Sequence, residues 1–125
     1  MYRACVARAN NLSQDRCDIQ YADRELSRRM SEPREGGWRA LKRLGRYLKG
    51  NSRMIIHMGY QEFQGEVTVW TDTDFAGCLR TRKSTSGGVV MLGEHVVKTW
   101  SCTQSVIALS SGEAEYYGMV KGGSA

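Results

Sequence analysis

The sequence predicts an α+β (mixed α/β) fold in which helices come first and a small antiparallel sheet follows. Two observations support this prediction. Apolar residues recur at helical spacing through residues 1–50 and then alternate with polar residues in short stretches of the second half. The net charge changes at the same point of the chain. Residues 1–50 carry twelve Lys/Arg and six acids, whereas residues 51–125 carry six Lys/Arg and seven acids. The basic first half predicts a nucleic-acid partner, with a solvated helix face as the alternative.

Three helices are predicted in the first fifty residues. The first follows the apolar spacing of YRACVARANNLSQ. Asp18 suits the N-cap of the second, which ends before Pro33. In the third, WRALKRLGRYLKG, apolar residues share one face, five Lys/Arg cover the other, and Gly50 suits its end.

The second half predicts a three-strand meander followed by a helix. RMIIHMGY is either a short strand or an extended linker, so we place a helical segment at 1–50, a linker or short strand at 51–65 and a sheet domain at 66–125. EVTVWTD directs Val67, Val69 and Thr71 to one face and Thr68, Trp70 and Asp72 to the other. GGVVMLG and HVVKTWS are joined by the hairpin turn Gly93-Glu94. Ser110 or Ser111 caps the helix of SSGEAEYYGMVKGG, and the tryptophans are expected in the core.

Several classes of protein receive no support from the sequence. The N-terminus lacks a signal-peptide pattern and no apolar run is long enough for a membrane span, so we expect an intracellular protein that is not secreted and has no membrane partner. The four cysteines form no zinc-binding spacing and are expected to be reduced thiols. A basic loop is expected to lie beside the Asp72 strand, either solvated or in contact with nucleic acid: Arg80, Arg82 and Lys83.

Two pairs of acids could hold a cation. Asp72 and Asp74 lie at the end of a predicted strand, and Glu113 and Glu115 lie at the start of the last helix. Carboxylates from a strand end and a helix start can converge on Mg²⁺, which prefers oxygen ligands. The same residues also suit a turn and a helix N-terminus, so both interpretations stay open on the residues alone.

The ordered motifs resemble one known family. Residues 2–50 resemble the segment between reverse transcriptase and ribonuclease H in the Pol polyproteins of Ty1/copia-type LTR retrotransposons. Two later segments resemble the start of the ribonuclease H domain of these polyproteins: WTDTDFAGCLRTRKSTSGGVVMLG and VKTWSCTQSVIALSSGEAEYYG. The departures from the family pattern are Phe75 for a usual Trp, Cys102 for a Ser and Gly112 for a common Ala.

The resemblance implies a ribonuclease H-like fold that cleaves the RNA strand of RNA/DNA hybrids with two Mg²⁺ ions. Carried over residue by residue, it assigns the catalytic and metal-binding positions to Asp72 and Glu115, with Asp74 and Glu113 as the second choices. The implied partners are an RNA/DNA hybrid and the remainder of the Pol polyprotein, including reverse transcriptase.

Enzymes of this fold also use a third aspartate and usually a fourth acid or histidine from later elements. We therefore expect an incomplete domain that is inactive alone, binds Mg²⁺ weakly and leaves the edge of its first strand unpaired. Two alternatives stay open: a non-catalytic nucleic-acid-binding module, and a retroelement relic without function.

Overall fold

The computed structural model describes residues 1–62 and 65–125, and the chain divides into two compact units, Met1–His57 and Met58–Ala125. The first contains α1 (Tyr2–Ser13), a 3-10 turn (Cys17–Ile19), α2 (Gln20–Ser27) and α3 (Glu35–Gly50). The second contains β1 (Val67–Asp74), β2 (Thr85–Leu92), β3 (His95–Thr103) and α4 (Ser111–Gly123). Helices followed by a three-strand antiparallel sheet confirm the predicted α+β class.

The first unit is built around a small apolar core between its helices. Tyr2 links α1 to the end of α2 by a hydrogen bond, which its hydroxyl donates to the carbonyl of Leu26 at 3.1 Å. The Tyr2 ring also meets the Trp38 ring of α3 edge to face, with centroids 5.4 Å apart. The buried members of this core are Tyr2, Val6, Ala9, Ile19, Leu26 and Leu44.

Asp18 does not cap α2, so that prediction was wrong. The helix begins at Gln20, and Asp18 lies in the preceding 3-10 turn. Its carboxylate accepts hydrogen bonds from Arg16 at 2.7 and 2.9 Å and from the Tyr47 hydroxyl at 2.8 Å. These bonds, the one from Arg16 first, lower the pKa of Asp18 to about 2. Asp18 therefore ties the 3-10 turn to α3.

Asp23 is a buried carboxyl in the same unit. Its Oδ2 accepts from Asn10 at 3.1 Å and Ser13 at 3.4 Å, whereas its Oδ1 has no hydrogen-bond partner among residues 1–62 and 65–125. Burial raises the pKa of Asp23, and the hydrogen bonds from Ser13 and Asn10 oppose that rise only in part. At neutral pH the ionised Asp23 carboxylate therefore destabilises the folded state.

The free energy of unfolding of the first unit is expected to increase as the pH falls from 7 toward about 4, the ordinary pKa of aspartate. A folded-state pKa above the unfolded value means that protonation favours the folded state in this window. Below about 4, the loss of the ionised Asp18 reverses the trend, because its folded-state pKa is depressed. Hydrogen exchange of first-unit amides in the full chain measures both slopes. Asp23→Asn should abolish the upper slope, and an unchanged upper slope would contradict the assignment.

The second unit is a meander with the order β1-β2-β3, both pairs antiparallel. The two-residue connection Gly93-Glu94 joins β2 to β3 as predicted, and the φ of Gly93, +59°, is one that glycine adopts without strain. Residues 51–62 contain neither helix nor strand, and residues 63 and 64 of the predicted linker lie outside the described residues. Within the described ranges, no helix is long and apolar enough to cross a membrane.

Helix α4 packs closely on one face of the sheet. A Cβ on Gly118 would lie 2.6 Å from Thr73 Oγ1, and one on Gly122 would lie 2.6 Å from Thr71 Cγ2. Thr71 and Thr73 therefore face α4, and the alternation of the strand directs Trp70 to the opposite face. Trp70 is 65% exposed, so the expectation of a core position was wrong for this tryptophan.

Candidate functional site: four acids and a basic helix

Asp72 lies in β1 opposite Gly87 of β2, two residues before the strand ends. Its side chain is exposed. Because Thr71 and Thr73 both face α4, Asp72 points to the other face of the strand. Across the described part of the chain, no hydrogen bond or ion pair involves the Asp72 carboxylate, which is therefore open to an external ligand.

Asp74, the second choice for the first acid, shapes the turn after β1. Its carboxylate lies directly against Gly77, at the point where a Cβ on that glycine would collide with it. Ala76 between them has φ +52°, which places the turn in the left-handed region. Asp74 thus has a structural contact that Asp72 lacks.

Glu113, the second choice for the helix acid, belongs to the N-terminal cap of α4. The Ser110 hydroxyl accepts from the Glu113 backbone N–H at 3.1 Å. The Glu113 carboxylate in turn accepts from the backbone N–H of Leu109 at 2.7 Å and from the Tyr117 hydroxyl at 3.2 Å. This reciprocal arrangement resembles a capping box and confirms the predicted Ser110 cap. The hydrogen bond to Glu113 also raises the pKa of Tyr117.

Glu115 lies two residues later, half-buried, without a hydrogen bond or ion pair in the described ranges. The turn that carries it is held by Gln104, which follows β3. Gln104 Nε2 donates to Ser86 Oγ and to the carbonyl of Ala114, each at 2.8 Å. Gln104 is buried, and sequence reasoning assigned it no role although it stands in one of the motifs that carry the family resemblance.

No group of three or more His, Cys, Asp or Glu side chains is placed to hold a metal ion within residues 1–62 and 65–125. Asp72 and Glu115 are two carboxylates with free oxygens, the ligand type that Mg²⁺ prefers. Asp72 points away from the face of β1 on which α4 packs, and no hydrogen bond among the described residues links it to Glu115. Their joint binding of one cation, and their catalytic role, stay predictions.

The loop of Arg80, Arg82 and Lys83 joins β1 to β2. Arg80 and Arg82 are exposed, and Arg82 has φ +55°. Lys83 is half-buried, and its ammonium donates to the carbonyl of Ser105 at 2.6 Å. The contact of this loop with nucleic acid stays a prediction.

A larger group of cations lies on α3. Arg39 pairs with Glu35 one turn earlier. The other four are exposed, and none has an ion-pair partner in the part of the chain that the structure describes; they form the α3 stripe: Lys42, Arg43, Arg46 and Lys49. At 1.5 Å per residue the α3 stripe extends about 10 Å along the helix.

Comparison with known proteins identifies the family. The chain is 37% identical over 117 residues to the retrovirus-related Pol polyprotein from transposon RE1 of Arabidopsis thaliana. It is 36% identical over 115 residues to the Pol polyprotein from transposon RE2 of the same plant, and each match covers 92% of this chain. The chain belongs to the copia-type retrotransposon Pol family. The predicted family is thus confirmed.

This copia-type Pol chain spans only part of its relatives. The matches cover 8% of each of the two polyproteins. An uncharacterized mitochondrial protein of Arabidopsis thaliana is 35% identical over 117 residues, which are 92% of the copia-type chain and 48% of that protein. No protein-family profile and no solved structure matches the chain.

Proposed function

We propose that this Pol chain joins a helical connection segment to the first part of a ribonuclease H-like domain, which in its complete form hydrolyses the RNA strand of RNA/DNA hybrids. The observation that carries the proposal is the division of roles among the four acids. The Asp74 carboxylate packs against the turn that follows β1 and Glu113 belongs to a helix cap, whereas Asp72 and Glu115 have no structural partner in the described ranges. Carboxylates without structural partners are the ones available for a cation.

In this proposal Asp72 and Glu115 supply the oxygen ligands that this chain contributes to a two-Mg²⁺ site. When bound, such ions activate a water and stabilise the leaving oxygen of a phosphodiester. The residues of the chain orient the ligands: β1 places Asp72 near its end, and Gln104 fixes the turn of α4 that carries Glu115. Two carboxylates are fewer ligands than two ions require, so these 125 residues alone should bind Mg²⁺ weakly and leave hybrids uncut.

Paramagnetic Mn²⁺, added in place of Mg²⁺, should broaden the NMR signals of residues around both Asp72 and Glu115. Asp72→Asn removes a charged ligand and should weaken this binding at least about tenfold, because one coordinating carboxylate contributes more than about 1.4 kcal/mol. Asp74→Asn and Glu113→Gln are the matched controls, and neither should change the Mn²⁺ affinity. Broadening centred elsewhere, or an equal loss in Asp74→Asn, would refute the assignment.

The α3 stripe favours a second function, non-catalytic binding of nucleic acid. Four exposed cations lie within two turns of one helix, and no carboxylate of the described residues pairs with them. Phosphates bound by such cations release condensed counterions, which provides affinity without sequence specificity. The remainder of the Pol polyprotein would then bring the bound hybrid to the nuclease site.

The affinity of the chain for an RNA/DNA hybrid should fall steeply with salt. Lys42→Gln with Arg46→Gln removes two contacts, so the slope of log K against log salt should become shallower by roughly 2. Fluorescence anisotropy at several salt concentrations measures the slope. Lys98→Gln with Lys121→Gln removes the same charge from the second unit and should leave it unchanged. Equal effects of the two double variants would exclude the α3 stripe as the binding surface.

A further inference from the structure

An apolar groove of about 410 Å³ lies between α2 and α3, next to the α3 stripe. Alanines at positions 22 and 40 leave the space between the two helices open. The apolar lining consists of Ile19, Ala22, Leu26, Ala40 and Leu44, and two tyrosines border it, Tyr21 from α2 and Tyr47 from α3. Tyr21 is 55% exposed and Tyr47 42% exposed, so both rings are accessible from solvent.

The border of the groove carries an excess of positive charge. Asp18 is neutralised by Arg16, and Glu25 by Arg28 at 2.6 Å. The arginines that border the groove are different, because neither Arg29 nor Arg43 has an ion-pair partner among the described residues. The groove is therefore apolar inside, aromatic at its opening and positively charged at its border.

The groove and the α3 stripe are continuous through Arg43, which belongs to both. Tyr47 follows Arg43 by one helical turn and lies on the same side of α3. The Tyr47 hydroxyl donates to Asp18 at 2.8 Å, which restrains the ring before any ligand arrives. A restrained ring loses little conformational entropy when a flat group stacks on it.

We propose that this groove binds the bases of a single-stranded nucleic acid, stacked on Tyr21 and Tyr47, while Arg43 and the rest of the α3 stripe contact the phosphates. This inference rests on the nucleic-acid binding proposed for the stripe. Stacking on aromatic side chains together with a positively charged track is the usual mode of single-strand recognition. Paired bases are stacked within a duplex and cannot enter the groove, whereas unpaired bases can be splayed out. An acidic apolar peptide would satisfy the charge, but it would make no specific use of the two aromatic rings.

The test compares two fluorescent strands of about 12 nucleotides, one with bases and one abasic, by anisotropy with the full chain. Both carry the same phosphates, so only stacking distinguishes them. The wild type should bind the base-bearing strand at least about 5-fold more tightly, the lower limit expected for one stacked base. Tyr21→Leu keeps an apolar side chain but removes the ring. It should lower this preference, because only the Tyr47 ring then remains for stacking, and it should leave the affinity for the abasic strand unchanged.

Three further variants separate stacking from charge and from misfolding. Tyr21→Phe retains the ring and should retain the preference, and Tyr116→Leu, at an exposed tyrosine of α4, should have no effect. Arg43→Gln should weaken both strands alike. Equal affinity of the wild type for both strands, or a preference that is unchanged in Tyr21→Leu, would overturn the groove proposal alone. Absence of binding to either strand would overturn the α3 stripe as well, and displacement of the base-bearing strand by an acidic apolar peptide would reassign the groove to a peptide partner.

Discussion

Gly118→Ala is expected to destabilise the second unit by about 1 to 2 kcal/mol, although alanine favours an exposed helix by about 1 kcal/mol over glycine. The new methyl group would lie 2.6 Å from Thr73 Oγ1, so α4 or β1 must shift. Gly123→Ala, in the same helix, meets nothing within 4 Å and should be stabilising. The two variants should therefore differ by about 2 to 3 kcal/mol in urea unfolding.

The opposing atom provides the control for this clash. Thr73→Ala removes the Oγ1 that the new methyl group meets, so the double variant should recover part of the loss. We expect a favourable coupling free energy of roughly 1 kcal/mol, within the range for residues in contact. Additive effects of Gly118→Ala and Thr73→Ala would show that α4 is not packed on β1 at this position.

Gln104→Leu is expected to lower the free energy of unfolding of the second unit by roughly 2 to 3 kcal/mol. Its Nε2 donates to two buried acceptors, Ser86 Oγ and the carbonyl of Ala114, and leucine leaves both without this donor. The variant should also loosen the turn that carries Glu115. Hydrogen exchange of α4 amides in the full chain measures the loss, and Gln14→Leu at an exposed site should change stability by less than about 0.5 kcal/mol.

Gln104→Glu tests the same contact through its protonation. A carboxylate has no donor for Ser86 and Ala114, and burial should raise its pKa. The variant should therefore be less stable than Gln104→Leu at pH 7 and recover stability as the pH falls toward about 4, the ordinary pKa of glutamate. A loss of stability that does not change between pH 7 and 4 would mean that the side chain at position 104 has turned out to solvent.

Sequence periodicity was sufficient for the elements whose signals are local. The apolar face of α3, the alternation of β1 and the Gly93-Glu94 turn each depend on neighbouring residues, and all three are confirmed. Asp18 was misplaced because its carboxylate accepts from Arg16, two residues earlier, and from Tyr47, 29 residues later, and these bonds compete with the capping role. Trp70 was misplaced because alternation identifies the face of a strand but not whether another element covers it.

The residues of the candidate site could also be predicted from local sequence only in part. The four acids could be found from motif order, but their separation into structural and available carboxylates required the turn at Gly77 and the cap at Ser110. Gln104 connects β2 to α4 across 18 and 10 residues of sequence, and no local pattern identifies such a link.

Strand β1 has a consequence for the behaviour of the protein at high concentration. In the described part of the chain it pairs with β2 alone, and Val67 and Trp70 on it are 63% and 65% exposed. It contains no proline, and its charges lie only at Asp72 and Asp74. Unpaired edges of this composition recruit other strands, so β1 is expected to control the solubility of the protein. The strand that carries the proposed metal ligand is thus also an edge strand at which aggregation is expected.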